Sequence, residues 1–206
     1  MEGDAEANGD ANGEILGPCL TGYVDDGSPE SHRYYLSRRT VLEMIRDRGY
    51  SVPSSEIDLS LQDFRALHGQ NPDVERLRFS ATHRTDPSDR IANKDTLNGL
   101  ILITQNQITS QALKTMELYP FKTEIFQITD LLVNITKHVL KPKHHVLTEQ
   151  EKQKLLKKYN IEENQLPRLS RKDAIAQYYG LEKGQVVKVT YTGDITESHV
   201  TYRCIW

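Results

Sequence analysis

The chain has 206 residues, 37% of them hydrophobic, with two cysteines and a net charge of −3, enough for two small cores but too polar for a membrane protein. No apolar run approaches the ~18 residues that a span needs. Cys19 and Cys204 alone exclude a Cys-rich zinc site and suit a reducing compartment, and the start MEGDAEANGDANGE lacks the basic and apolar regions of an export signal.

Residues 1 to 30 hold eight acids (Glu2, Asp4, Glu6, Asp10, Glu14, Asp25, Asp26 and Glu30) and no Lys or Arg, so the remainder carries +5. Such a segment, rich in Gly, Ala, Asn and Asp, cannot bury enough surface to offset its ordering entropy and reads as a disordered arm to about residue 28. It serves as a solubilising tail, or as an arm that docks on a partner or screens the basic body.

From Ser31, Tyr34, Val41, Leu42 and Ile45 mark one face of a helix that stops at Gly49. A second helix begins after Ser54 or Ser55, places Ile57, Leu61, Phe64 and Leu67 on one stripe, and ends at Gly69. RLRFSATH then alternates as a strand. GLILIT reads as a strand covered on both faces, TSQALKTME as a helix, and FKTEIFQI as a further strand. This order predicts a small α/β domain with a mixed sheet containing a parallel element over 31–141.

A boundary is expected near Pro142, opening a second domain over 142–206. Thr148 and Glu151 form a capping box for a helix with Leu155, Leu156 and Tyr159 on its apolar side. Ser170 with Asp173 repeats that logic for a helix closing at Gly180, and QVVKVTY and HVTYRCI form a hairpin turned at Gly193 and Asp194. The reading is α+β: helix, helix, hairpin behind an α/β domain.

Candidate chemistry is sparse. AQYYGLEKGQVVKV sets Gly180 and Gly184 four residues apart as a phosphate loop might, but they follow a helix and precede a strand. The loop therefore presents carbonyls rather than amides, which suits a cap and a turn and repels phosphate. His138, His144 and His145 read as linker histidines, because adjacent residues of a strand face opposite ways. HRTDPSDR (83–90) clusters His, Asp and Arg: Asp86 with Pro87 reads as a turn, while Asp86, Asp89 and Arg90 are the best acids and anchor for a rival reading as a small nuclease-like enzyme. Otherwise no nucleophile and base, metal cluster or cofactor motif is present. Lys137 to Lys158 carries +5 in 22 residues, and Arg46 and Arg48 with Asp47 extend the basic character or hold the helix end together; such lysines serve as a solvated face or track a nucleic-acid backbone, as in a free-standing DNA-binding module.

RDRGY (46–50), LVNITKH (132–138), ENQLPRL (163–169), YYGLEKGQVVKV (178–189) and VTYR (200–203) together resemble the fifth shared subunit of eukaryotic nuclear RNA polymerases, whose C-terminal half is similar to a small archaeal RNA polymerase subunit. The resemblance runs from about residue 31 to the end. It implies a non-catalytic nuclear subunit without cofactor or small-molecule ligand: an N-terminal jaw domain near downstream duplex DNA, and a compact assembly domain docking on the largest polymerase subunit. By resemblance Arg168, Tyr179, Gly180, Gly184, Gln185, Lys188, Tyr202 and Arg203 belong to the assembly domain, and Arg46, Arg48, Lys141 and Lys143 are the DNA-proximal candidates for weak contact without sequence preference. The acidic arm, QYYG in place of an RYFG-like stretch, TYTGDITES in place of an Arg-Pro-Ser-Glu-Thr-Ala-Gly-like turn, and the CIW ending resemble the variant in plant RNA polymerase V. That implies a role in RNA-directed DNA methylation; the alternative within the family is another nuclear polymerase.

Overall fold

The computed structural model describes residues 27–84, 90–91, 97–192 and 199–206. Most of the expected acidic arm, with Cys19, lies outside the described residues, as do Asp86, Pro87, Asp89 and the turn at Gly193 and Asp194.

Helix α1 (Pro29–Asp47) starts two residues before Ser31, because Ser28 accepts from the Ser31 amide and Pro29 takes the first helical position. Its end is a Schellman turn: the Gly49 amide bonds the Arg46 carbonyl, the Tyr50 amide bonds Ile45, and Gly49 adopts φ +99°. The expected second helix is two helices, α2 (Ser54–Ile57) and α3 (Leu61–His68). Ser60 breaks it by accepting from the Asp63 amide at 3.1 Å and so capping α3 afresh. The break changes the stripe: Phe64 is fully buried, whereas Leu67 is 65% exposed.

RLRFSATH contributes little strand. Val74–Leu77 form a 3-10 turn, and β1 is only Ala81–Thr82. Beyond it come β2 (Arg90–Ile91), β3 (Leu97–Thr104), α4 (Ser110–Met116) and β4 (Lys122–Gln127), in sheet order β1-β2-β3-β4. β3 and β4 pair parallel from Gly99↔Lys122 to Thr104↔Gln127, with α4 as their crossover, as the strand, helix, strand reading requires. GLILIT is not covered on both faces, however, since α4 buries none of its residues and Ile103 is 39% exposed.

The C-terminal half comprises β5 (Lys143–Val146), α5 (Glu149–Tyr159), β6 (Arg168–Leu169), α6 (Ala174–Tyr178), β7 (Val186–Tyr191) and β8 (His199–Ile205). β7 and β8 form the antiparallel hairpin, but two edge strands flank it: β5 antiparallel on β7 and β6 parallel on β8, in order β5-β7-β8-β6. The lysines and paired histidines of β5 disguise it as a linker. α5 has the expected capping box, with Thr148 accepting from the Glu151 amide and Glu151 reaching back to the Thr148 amide. Its Tyr159 lies exposed rather than on the apolar side. Asp173, not Ser170, caps α6, its carboxylate accepting from the Ile175 and Ala176 amides.

Alternation on the hairpin builds two apolar layers. Val186 and Cys204 pack with Leu155 and Leu166 on one face, while Val187, Val189 and Ile205 pack with Ala176 and Leu181 on the other. The N-terminal core gathers Leu42, Met44 and Ile45 of α1 with Ile57, Ala81, Phe126 and Leu131. Tyr178 of α6 also enters that core, and Tyr179 packs against both halves.

Candidate assembly surface and the seam beneath it

The loop after α6 is a Schellman turn. The Gly180 amide bonds the Gln177 carbonyl at 3.0 Å and the Leu181 amide bonds Ala176 at 2.9 Å, with Gly180 at φ +62°. Carbonyls at such an end attract cations. Two arrive from the N-terminal half: the Arg48 guanidinium donates to the Gln177 and Tyr178 carbonyls at 2.7 and 2.8 Å, and Lys122 donates to Gly180 at 2.9 Å.

Arg48 is held for this task by Glu124 on β4, which accepts two bonds from it at 3.0 and 2.7 Å. Lys122, two residues earlier on the same strand, also reaches Glu182 at 2.9 Å. That pair holds the Glu182 carboxyl below its ordinary range. Beside the pair runs a groove of about 300 Å³, lined by Tyr50, His83, Gly99, Lys122, Tyr179 and Gly180.

A second network joins the halves around Tyr178. Its hydroxyl donates to Asp47 at 2.8 Å and accepts from Asn134 at 3.3 Å, and Asn134 also donates to the buried Glu43 at 2.6 Å. Burial would push Glu43 up, but its bonds from Lys137 and Asn134 outweigh that and hold it below the usual carboxylate value. Burial pushes the Tyr178 phenol well above its ordinary value. RDRGY, LVNITKH and YYGLEKG, separate in sequence, thus meet at one seam.

The remaining candidate residues spread over the C-terminal sheet. Lys188 and Tyr202 are cross-strand partners, with His145 beside Lys188 and Lys143 beside Thr190. Pairing puts these four on one face with Val200, in a strip of half-buried and exposed side chains. Arg203 faces Val187 on the opposite side. Gly184, at φ +90°, turns the chain into β7 and bonds the Ile205 carbonyl, while the Gln185 side chain accepts from the Glu182 amide. Arg168 lies at the far edge, its guanidinium 3.9 Å from the Trp206 ring centroid.

Among the DNA-proximal candidates, Arg46 is half-buried and Lys143 exposed. Lys141 is partly buried, and desolvation lowers its pKa. Arg48 is poorly placed for a phosphate, because its side chain is 9% exposed and four of its donors are engaged within the chain. Lys137 and Lys152 of the basic stretch are likewise engaged, with Glu43 and Glu163. His144 bonds the Pro142 carbonyl and His145 lies near Glu151, so the neighbouring histidines diverge. Among the described residues no cluster of three or more His, Cys, Asp or Glu could hold a metal.

Sequence reasoning missed Lys122, Glu124 and the exposed apolar residues Val133, Val139 and Leu140, the last two 95% and 85% exposed. Consecutive Val139 and Leu140 beside lysines carried a signal: neither helical nor strand periodicity gave them a buried face.

Comparison with known proteins accounts for this arrangement. Residues 28–93 match the family model described as RNA polymerase Rpb5, N-terminal domain, and 133–205 match RNA polymerase Rpb5, C-terminal domain. The chain is 55% identical to DNA-directed RNA polymerase V subunit 5A of Arabidopsis thaliana, over 98% of this chain and 100% of that protein. It is 54% identical to DNA-directed RNA polymerases IV and V subunit 5B of the same plant, over 88% and 94%. It is 31% identical to the RPABC1 subunit of DNA-directed RNA polymerases I, II, and III of Caenorhabditis elegans, over 87% and 99%. With both domain models matched in order and the seam built from the residues that carry the resemblance, the chain belongs to the Rpb5 family of RNA polymerase subunits.

Proposed function

We propose that the chain is a non-catalytic subunit of a nuclear RNA polymerase of the polymerase V type, and so takes part in RNA-directed DNA methylation and the silencing of repeats and transposons. The observation that carries this is the contrast in identity: 55% to a subunit named for polymerase V and 54% to one named for polymerases IV and V, against 31% to one named for polymerases I, II, and III.

In this reading the second domain, opening near Pro142, docks on the largest subunit and the first forms a jaw beside downstream duplex DNA. The docking surface is the strip of His145, Lys188, Val200 and Tyr202, which the chain enters from the exposed Val139 and Leu140. Covering two such apolar side chains supplies roughly 1.5–3 kcal/mol each. DNA contact falls to Arg46, Lys141 and Lys143, through charge and without base readout.

Affinity purification of the tagged full chain from plant nuclei tests this. Recovery of the polymerase V largest subunit is expected. Recovery of only a largest subunit of polymerase I, II or III transfers the chain to that enzyme, and absence of every polymerase largest subunit overturns the reading.

A further inference from the structure

We infer that Arg48 and Lys122 are positioning residues that clasp the C-terminal turn of α6, so that the free chain carries its two halves at one fixed angle.

Domains joined within one chain commonly meet through modest, polar interfaces and move relative to each other. Apolar contacts alone tolerate sliding. The contacts here are directional. The two bonds from Arg48 to Glu124 fix the plane of the guanidinium on the N-terminal half, and its remaining donors then aim at the Gln177 and Tyr178 carbonyls of α6. Lys122 adds a third carbonyl, Gly180, and the Glu182 carboxylate. Rotation of one half against the other would break these bonds together, leaving Arg48 short of partners where water scarcely reaches it.

Gly180 shows the clasp from the other side. Its φ of +62° already favours glycine, and a Cβ there would also stand 3.0 Å from the Arg48 guanidinium carbon and 3.2 Å from Glu124 Oε1. A side chain at this turn would have to push the clasp aside by a few tenths of an ångström. Tyr178 completes the arrangement: its ring sits in the N-terminal core, and its hydroxyl donates to Asp47, the neighbour of Arg48. The consequence for assembly rests on the polymerase reading: a subunit that docks by one half delivers the other in a preset direction, without losing orientational freedom on binding.

Spin labels on the full chain test this, with Cys19→Ser to leave no other native thiol than the buried Cys204 and labels at the exposed positions Arg33→Cys on α1 and Lys157→Cys on α5. The parent should give a single narrow distance distribution by pulsed electron resonance. Arg48→Ala with Lys122→Ala should lose that single peak. Arg48→Lys, which keeps the charge but not the two-pronged geometry, should broaden it as well, which a merely charge-stabilising role would not. Should Arg48→Ala fail to fold, Lys122→Ala alone, at an exposed site, carries the same expectation. A broad distribution in the parent, or an unchanged narrow one in the variants that fold, overturns the clasp. The free chain alone is measured, so such a failure leaves the polymerase assignment standing, and absence of a polymerase from the purification leaves the clasp standing.

Discussion

Among the described residues the two sheets each have four strands, yet they are covered very differently. The C-terminal hairpin buries Val186, Val187, Val189, Cys204 and Ile205, with α5 residues against one face and α6 residues against the other. In the N-terminal sheet, Phe126 is buried while Ile103 is exposed, and α4 contributes no buried side chain. One sheet therefore completes its core within the chain. The other has an outer side whose covering helix is held mainly by its own caps and by covalent connection.

The largest effect expected from this contrast is from Val187→Asp, which places an unpaired carboxylate at a fully buried site and should cost more than about 4 kcal/mol. Ile103→Asp, on a strand of similar composition, should cost far less. Circular dichroism melts of the two variants check the contrast, and equal losses would mean the N-terminal sheet is as tightly covered as the C-terminal one. Next comes Gly180→Val, where positive φ alone costs about 1–3 kcal/mol and the new side chain also displaces Arg48. Folding and polymerase incorporation should suffer together; intact incorporation would mean that the turn tolerates a side chain and the seam is looser than its geometry indicates.

The same contrast explains what was legible in the sequence. Local rules carried the C-terminal half well: Thr148 and Glu151 announced their box, and the alternation of Val186 to Tyr191 announced a strand. They failed where a competing local bond intervened, as when Ser60 restarted a helix or Asp173 capped in place of Ser170. β5 was hidden because strand identity there comes from pairing with β7, a contact more than 40 residues away. The seam was half legible. The carbonyl-rich end at Gly180 followed from the order helix, glycine, strand, but that Arg48 and Lys122 would meet it depends on folding together segments 58 to 130 residues apart.

Two helix caps give an intermediate test. Thr148 caps α5, which contributes Leu155 to the core, and Thr109 caps α4, which contributes nothing buried. Thr148→Ala should lower global stability by about 1 kcal/mol. Thr109→Ala should fray α4 while leaving the denaturant midpoint of the chain nearly unchanged, because no core depends on that helix. Hydrogen exchange distinguishes the two: faster exchange confined to α4 is expected for Thr109→Ala, and a lowered midpoint would show that α4 is coupled to the sheet after all.

The smallest effect concerns the rim of the better-covered sheet, where Lys152 meets Glu163 at 2.6 Å and donates to the Gly184 carbonyl at 2.8 Å. Lys152 holds the Glu163 carboxyl below its ordinary value. Burial would lower Lys152, but Glu163 outweighs it and raises the ammonium above its ordinary value. A depressed carboxylate contributes stability that is complete above its unfolded value, near ~4.3, and is lost as pH falls through the folded one. A raised ammonium contributes stability that is complete below its unfolded value, near ~10.4, and is lost as pH rises through the folded one. The pair therefore supports the sheet across the neutral range and fails at both ends. Glu163 is substantially exposed, so solvent screening keeps the contribution small. Lys152→Met should flatten both limbs of a plot of melting temperature against pH, leaving the residual acid limb to other carboxylates such as Glu182 and Glu43. An unaltered profile would show that Lys152 serves the Gly184 turn through its hydrogen bond alone, and that this sheet rests on the apolar cover of its two faces and not on the ion pair at its edge.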